Sequence, residues 1–271
     1  MERIQQALMR AREVRDGKTT HDDTNVFSAT RPDAELSINY SHTRQIEASS
    51  LGLRDRRLLI GNDESAEAAA YKILRTQVLQ RLKADAWNTI AVVSPNAGEG
   101  KTLTAANLAI SLACEVSHSV LLVDLDLRRP ALHRLFGDEA PLGLSDYLHG
   151  GVPLSDLLFN PGIERLIVLP GGKPVMNSAE LLSSPKMAQL VDELKTRYPS
   201  RIVLFDTPAL LSNADTLAFS PYVDAALLVI EDGKTSREDV TRAVELLRQT
   251  NVLGTVLNKS HDASRTQRVV N

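Results

Sequence analysis

Ser94-Pro95-Asn96-Ala97-Gly98-Glu99-Gly100-Lys101-Thr102 follows a β-branched apolar run over residues 89–93 and opens a helical pattern. Strand, glycine-rich turn and helix in that order spell a phosphate-binding loop. Glycines 98 and 100 let backbone N–H groups converge on phosphate oxygens, Lys101 reaches the terminal phosphates, and the Thr102 hydroxyl suits Mg²⁺. The expected nucleotide cradle is therefore Gly98, Glu99, Gly100, Lys101, Thr102 and Leu103. Pro95 stands where the pattern G-x-x-x-x-G-K-[ST] has its first glycine, so a ligand-free glycine-rich turn is the competing reading.

Two further segments decide between them. Val120-Leu121-Leu122-Val123-Asp124-Leu125-Asp126 is an apolar strand ending in two carboxylates, and Ile202-Val203-Leu204-Phe205-Asp206-Thr207-Pro208 is another ending in one. Buried parallel strands read as continuous apolar runs, and ligands of such sheets sit beyond the strands' carboxyl ends. All three acids then fall on the nucleotide's edge. Two positions apart in extended chain, Asp124 and Asp126 project to one face, which suits a shared magnesium or phosphate.

Six strands are expected, at residues 89–94, 119–124, 165–169, 201–206, 225–231 and 252–258. Helical stripes lie between them. One over 65–82 points Ala66, Ala70, Ile73, Leu74 and Leu82 inward and Lys72, Arg75 and Arg81 outward; one over 185–198 aligns Met187, Leu190, Val191, Leu194 and Tyr198. A third, over 236–249, aligns Val240, Ala243, Val244 and Leu247 and starts with the capping pattern Ser236-x-x-Asp239. Such alternation predicts an α/β fold, a doubly wound, mostly parallel sheet with helices on both faces. The expected domain spans 60–262. Before it, 1–59 reads as a short amphipathic helix (Ile4, Ala7, Leu8, Ala11) and a flexible tether; after it, 263–271 reads as a flexible tail.

The chain has 271 residues, 43% of them apolar, and a formal charge of −3, which gives no general pull toward nucleic acid. Its single cysteine, Cys114, reads as a buried small hydrophobe and forbids an intrachain disulfide. The histidines lack metal-ligand spacing. Without an apolar run of membrane-spanning length or a signal-peptide core, the expected location is cytoplasmic.

These residues resemble the bacterial tyrosine kinases of exopolysaccharide synthesis, a phosphate-loop family of the deviant Walker type. Gly98 to Thr102 looks like their first nucleotide motif, Asp124-Leu125-Asp126-Leu127-Arg128-Arg129-Pro130 their second, and Asp206-Thr207-Pro208 their third. Leu169-Pro170-Gly171-Gly172 and Asn177-Ser178-Ala179-Glu180-Leu181-Leu182-Ser183-Ser184 are similar to an intervening family stretch. Ile4-Gln5-Gln6-Ala7-Leu8 resembles the subgroup found beside exosortase and polysaccharide-export genes. The related division-site and chromosome-partition ATPases carry an extra loop lysine where Asn96 stands, which favours the kinase branch.

The resemblance implies ATP and Mg²⁺ as cofactors, with Thr102, Asp126 and Asp206 around the metal. Lys101, Asp124, Asp126 and Arg128 would serve phosphoryl transfer, the two acids dividing metal binding and proton acceptance in an order the sequence leaves open. Arg128 or Arg129 would steady phosphate charge or pair with a carboxylate, and Asn258 would meet adenine, a turn-forming asparagine being the competing reading. The implied partner is a membrane-embedded polysaccharide copolymerase or chain-length regulator, which would bring the protein to the inner face of the plasma membrane. Two departures qualify this. The family's C-terminal tyrosine cluster has no counterpart, since the last tyrosine is Tyr222 and Tyr40 alone falls in the tether. The family's E-x-x-R-x-x-R ring motif is reduced to Lys72 and Arg75, with Ala69 at the acidic place, so homo-oligomerisation is an open expectation. A nucleotide-switched adaptor without tyrosine transfer is the alternative function.

Overall fold

Apolar on both sides of the pleat, the run before the phosphate loop forms a strand buried along its whole length in the computed structural model. The structure describes residues 43–46, 50–61, 63–137, 142–198 and 200–260. The expected first helix, Tyr40, most of the tether and the tail from 263 lie outside them.

The strands are β1 (Arg44–Gln45), β2 (Thr89–Val93), β3 (Ser119–Asp124), β4 (Phe159–Asn160), β5 (Leu166–Leu169), β6 (Arg201–Asp206), β7 (Ala225–Glu231) and β8 (Asn251–Asn258). They form one eight-stranded sheet in the order β1-β4-β5-β3-β6-β2-β7-β8, parallel throughout except between β4 and β5. The helices are α1 (Ser50–Asp55), α2 (Ala66–Asp85), α3 (Lys101–Ala113), α4 (Leu132–Leu135), α5 (Leu144–His149), α6 (Ser178–Leu182), α7 (Pro185–Thr196), α8 (Asp215–Phe219) and α9 (Arg237–Leu246).

Alternation along the central strands sorts side chains into two cores. Ile90, Val92, Val120 and Leu122 pack with Val78 and Leu82 of α2 and Leu108 and Leu112 of α3. Ala91, Val93, Leu121 and Val123 pack with Met187 and Leu190 of α7, Phe219 of α8 and Ala243 of α9. Both faces of the sheet are covered, as a doubly wound architecture requires.

The expected cap at Ser236 is present, and two further helices are capped in the same way. Ser65, Ser184 and Ser236 each accept a backbone N–H of their helix's first turn, from Ala68, Met187 and Asp239 respectively. Several details depart from the sequence reading. Regular structure begins upstream of residue 60: β1 pairs with β4, and Leu53 and Leu58 are buried. The inward stripe of α2 is Ala68, Val78 and Leu82 with Tyr71 and Leu74 beside them, whereas Ile73 is 52% exposed. Arg75, expected in solvent, donates to the Ser111 carbonyl at 3.0 Å and pairs with Glu115. Tyr198 lies beyond the end of α7 and Val244 on the outer side of α9, both exposed. Cys114 is exposed too, because α3 ends one residue before it; its thiol faces the Ile110 carbonyl.

Candidate functional site

Parallel register brings five strand ends to one edge of the sheet, and the loops leaving β2, β3, β6, β7 and β8 carry the polar residues there. The loop after β2 turns through left-handed glycines, Gly98 at φ 84° and Gly100 at φ 92°, before Lys101 starts α3. Gly100 is favoured by its left-handed backbone, and a Cβ there would also push the Asn258 side-chain amide aside.

Long-range polar contacts fix the loop's shape. The Glu99 carboxylate, 3% exposed, accepts the Asn96 backbone N–H at 3.0 Å and the Thr235 hydroxyl at 2.7 Å. Asn96 also reaches Asp239, so the second member of the helix-capping pattern braces the loop instead of returning to Ser236. From β8, Asn258 Nδ2 donates to the Glu99 carbonyl at 2.8 Å, and Lys259 Nζ donates to the Gly98 carbonyl at 2.7 Å while pairing with Glu231 at 3.0 Å. The Glu99 side chain thus works inward, and Leu103 packs against the core on the α2 side. Both can offer a nucleotide only their backbone N–H.

The three acids differ sharply in surroundings. Asp124 and Asp206 are register partners on adjacent strands, each 1% exposed. Burial first, then the Asp206 charge, pushes the Asp124 carboxyl up to about 8; burial lifts Asp206 to about 6 against the pull of Lys101 and a Thr102 hydrogen bond. Asp124 is also the anchor of its own turn. It accepts the backbone N–H groups of Asp126 at 3.0 Å and of Ala131 and Leu132, each at 3.1 Å. Asp126 is half-buried, accepts the Arg129 N–H, and has its carboxyl raised by burial while Lys101 holds it down. Nearby, Pro170-Gly171-Gly172 crosses so closely that a Cβ on Gly171 would stand 3.0 Å from Pro130 Cβ.

Acids whose folded pKa lies above the ordinary 3.8 make the folded state bind more protons than the unfolded one, so stability falls as pH rises through that interval. Without nucleotide, the melting temperature is expected to decline from pH 5 to pH 8, with His118, whose imidazole burial pushes below its ordinary value, working the other way. Asp206→Asn should flatten the part of the decline below about pH 6, as calorimetry across pH would register. An unflattened curve in that variant would remove Asp206 as its cause.

For Mg²⁺, the donor set is a hydroxyl and carboxylates, the hard oxygens this ion selects. Asp206 Oδ1 is buried and has no hydrogen-bond partner among the described residues, as suits an oxygen reserved for a cation or its water. Among the described residues no three His, Cys, Asp or Glu side chains form a cage, and in nucleotide sites Mg²⁺ commonly relies on one or two carboxylates plus substrate phosphates.

Arg128 shares this edge but its Nε is occupied by Ser178 and Asp215, a buried pair that sequence reading did not single out as functional. Ser178 lay within the resembling stretch 177–184; Asp215, in a five-residue helix, had no periodic signal.

Residues 90–270 match the CobQ/CobB/MinD/ParA nucleotide binding domain family. The tyrosine-protein kinase YwqD of Bacillus subtilis (strain 168) is 34% identical over 211 residues, 76% of this chain and 88% of that one. The tyrosine-protein kinase CpsD of Streptococcus pneumoniae serotype 4 is 32% identical over 192 residues, 70% of this chain and 82% of that one. Among solved structures, the kinase domain of the Escherichia coli tyrosine kinase ETK superposes with a TM-score of 0.67 at 26% identity, covering 79% of this chain and 88% of that one. The chain spans only 32% and 30% of the length of two further relatives, from Klebsiella pneumoniae and Ralstonia solanacearum. Among the described residues, no helix is long and apolar enough to cross a membrane.

Proposed function

The chain belongs to the bacterial tyrosine-protein kinases of the CobQ/CobB/MinD/ParA nucleotide-binding family, and from that premise we propose that it transfers the γ-phosphoryl group of ATP to tyrosine and so regulates exopolysaccharide polymerisation or export. The single observation that carries the reading is one sheet edge holding the glycine loop, Lys101 and the carboxylates Asp124, Asp126 and Asp206 together.

Phosphoryl transfer asks a protein mainly to position reactants and charge. The loop N–H groups and Lys101 hold the phosphates; Asn258, while bracing the loop, meets the adenine. Thr102 and Asp206, with Asp126 where that acid is not the proton acceptor, would hold Mg²⁺, which would supply charge neutralisation on the phosphates. The acceptor's phenolic oxygen bonds to the γ-phosphorus, the bond to the β,γ-bridging oxygen breaks, and ADP leaves. With a phenol pKa near 10, a carboxylate such as Asp126 orients the hydroxyl and takes its proton late. A membrane-embedded polysaccharide copolymerase or chain-length regulator is the proposed partner, bringing a cytoplasmic kinase to the membrane's inner face. Oligomers remain part of the proposal, although Arg75 is committed to Ser111 and Glu115.

Incubation of the chain, alone and with its partner's cytoplasmic part, with labelled ATP should yield phosphotyrosine that mass spectrometry maps. ATP binding with no phosphotyrosine anywhere would instead establish a nucleotide-switched adaptor.

A further inference from the structure

Arg128 is 38% exposed along its side chain, but one side of its guanidinium is anchored inward. Nε lies 2.8 Å from Ser178 Oγ and 3.3 Å from Asp215 Oδ2. The Ser178 hydroxyl gives its single proton to the same Asp215 oxygen at 2.6 Å, which leaves its lone pairs for Arg128. Hydroxyl, carboxylate and guanidinium thus form a closed directional set. Ser178 and Asp215 are both 0% exposed.

A carboxylate so deeply buried is costly unless paired. Its other oxygen, Oδ1, has no hydrogen-bond partner among the described residues, so local packing alone does not account for it. Asp215 is also placed on the reacting edge. Its charge pushes the Asp126 carboxyl up, and the adjacent Thr216 hydroxyl donates at 2.8 Å to the Pro208 carbonyl, tying α8 to Asp206-Thr207-Pro208. The Ser178 end comes from α6, so three separate segments converge on one arginine.

Guanidinium is a rigid planar fork; fixing Nε fixes the direction of both terminal nitrogens. Among the described residues the two Nη groups of Arg128 carry no hydrogen bond or ion pair. Arg129 is different, exposed and linked to Asp126 through its backbone N–H.

We propose that Asp215, with Ser178 as its relay, is a positioning residue for phosphoryl transfer: it grips Arg128 by Nε so that both Nη groups face the phosphoryl group in flight. This rests on the kinase reading above. Asp215 touches neither reactant; its effect runs entirely through Arg128, and that dependence is what an experiment can isolate.

The test is a double-mutant cycle on the full chain: wild type, Asp215→Asn, Arg128→Ala and both together. ADP formation and phosphotyrosine on an added tyrosine-containing copolymer are followed side by side. Asp215→Asn should lower kcat about 10- to 100-fold, as misplacement of a charge-stabilising group does, with KM for ATP changed less than about twofold. The double variant should be no slower than Arg128→Ala, within about twofold. Multiplied penalties, or a raised KM with kcat intact, would overturn the positioning role. Should Asp215→Asn not fold, Ser178→Ala takes its place in the same cycle with the same criteria. ADP formation without phosphotyrosine in wild type would sink the kinase reading alone, since the cycle is still decided by ADP release; absence of both products would sink the two together.

Discussion

Lys101→Ala is expected to slow phosphoryl transfer by about two to three orders of magnitude, the usual loss when one preorganised charge donor leaves a phosphoryl or oxyanion site. Two effects combine. The ammonium group no longer meets the terminal phosphates, and it no longer restrains the carboxyls that it pulls down, Asp126 and Asp206. Asp206 already sits at about 6 with Lys101 present; without it the carboxyl rises further and is less ionised at neutral pH, so metal affinity falls as well. Part of the loss should therefore return as pH is raised, a signature that loss of phosphate contact alone would not produce. Lys101 is half-buried at the first position of α3, where the backbone is held by the Gly100 turn, so melting should move by no more than a few degrees. Initial rates and calorimetric Mg·ATP affinity between pH 6 and 9 check this. A rate within tenfold of wild type would place the phosphates elsewhere.

The sequence made the reacting edge legible because its signals are local and dense. Residues 89–93, 119–124 and 201–206 are buried on both faces, which only a sheet covered on two sides tolerates, and each run leads into polar residues at the same edge. Signals that depend on distant partners stayed hidden. Glu99 reads as part of the nucleotide cradle; its carboxylate is claimed by Thr235, 136 residues away. Asn96 read as a missing lysine, but it ties the loop to Asp239 on α9. β1 and β4 are two residues long, too short for any period to show, and burial of Leu53 and Leu58 needs the sheet edge to exist first. On α2 an apolar count could not separate Ile73 from Val78, because Ala68 and Tyr71, residues that fit either face, set the inward side. Asp215 is the sharpest case: no motif or period marks it, and only the fold brings it to Ser178 and Arg128.

Asp124→Ala and Asp126→Ala should fail in opposite ways, and the contrast assigns the roles that spacing left open. Asp124 accepts three backbone N–H groups of the segment between β3 and α4, at Asp126, Ala131 and Leu132. Alanine would strand all three, the buried Leu132 donor costing about 1–3 kcal/mol and the two part-buried ones less, while deletion of a poorly solvated carboxyl returns part of that. A net loss of about 3 kcal/mol follows, roughly 10 °C in melting temperature for a domain of this size. Asparagine is only half a remedy: its single oxygen serves one side of the turn and turns an NH₂ toward N–H groups on the other. Asp126, half-buried and bonded through its side chain to Arg129 N, should lose about 1 kcal/mol on truncation but about 100-fold or more in transfer. Burial pushes the Asp124 carboxyl up to about 8 and raises that of Asp126 as well, against the pull of Lys101, so before nucleotide and metal bind both acids hold a proton more readily than a free carboxylate does. Melting curves and single-turnover rates on the two variants decide the matter. A stable, inactive Asp124→Ala beside an unstable, active Asp126→Ala would reverse the assignment.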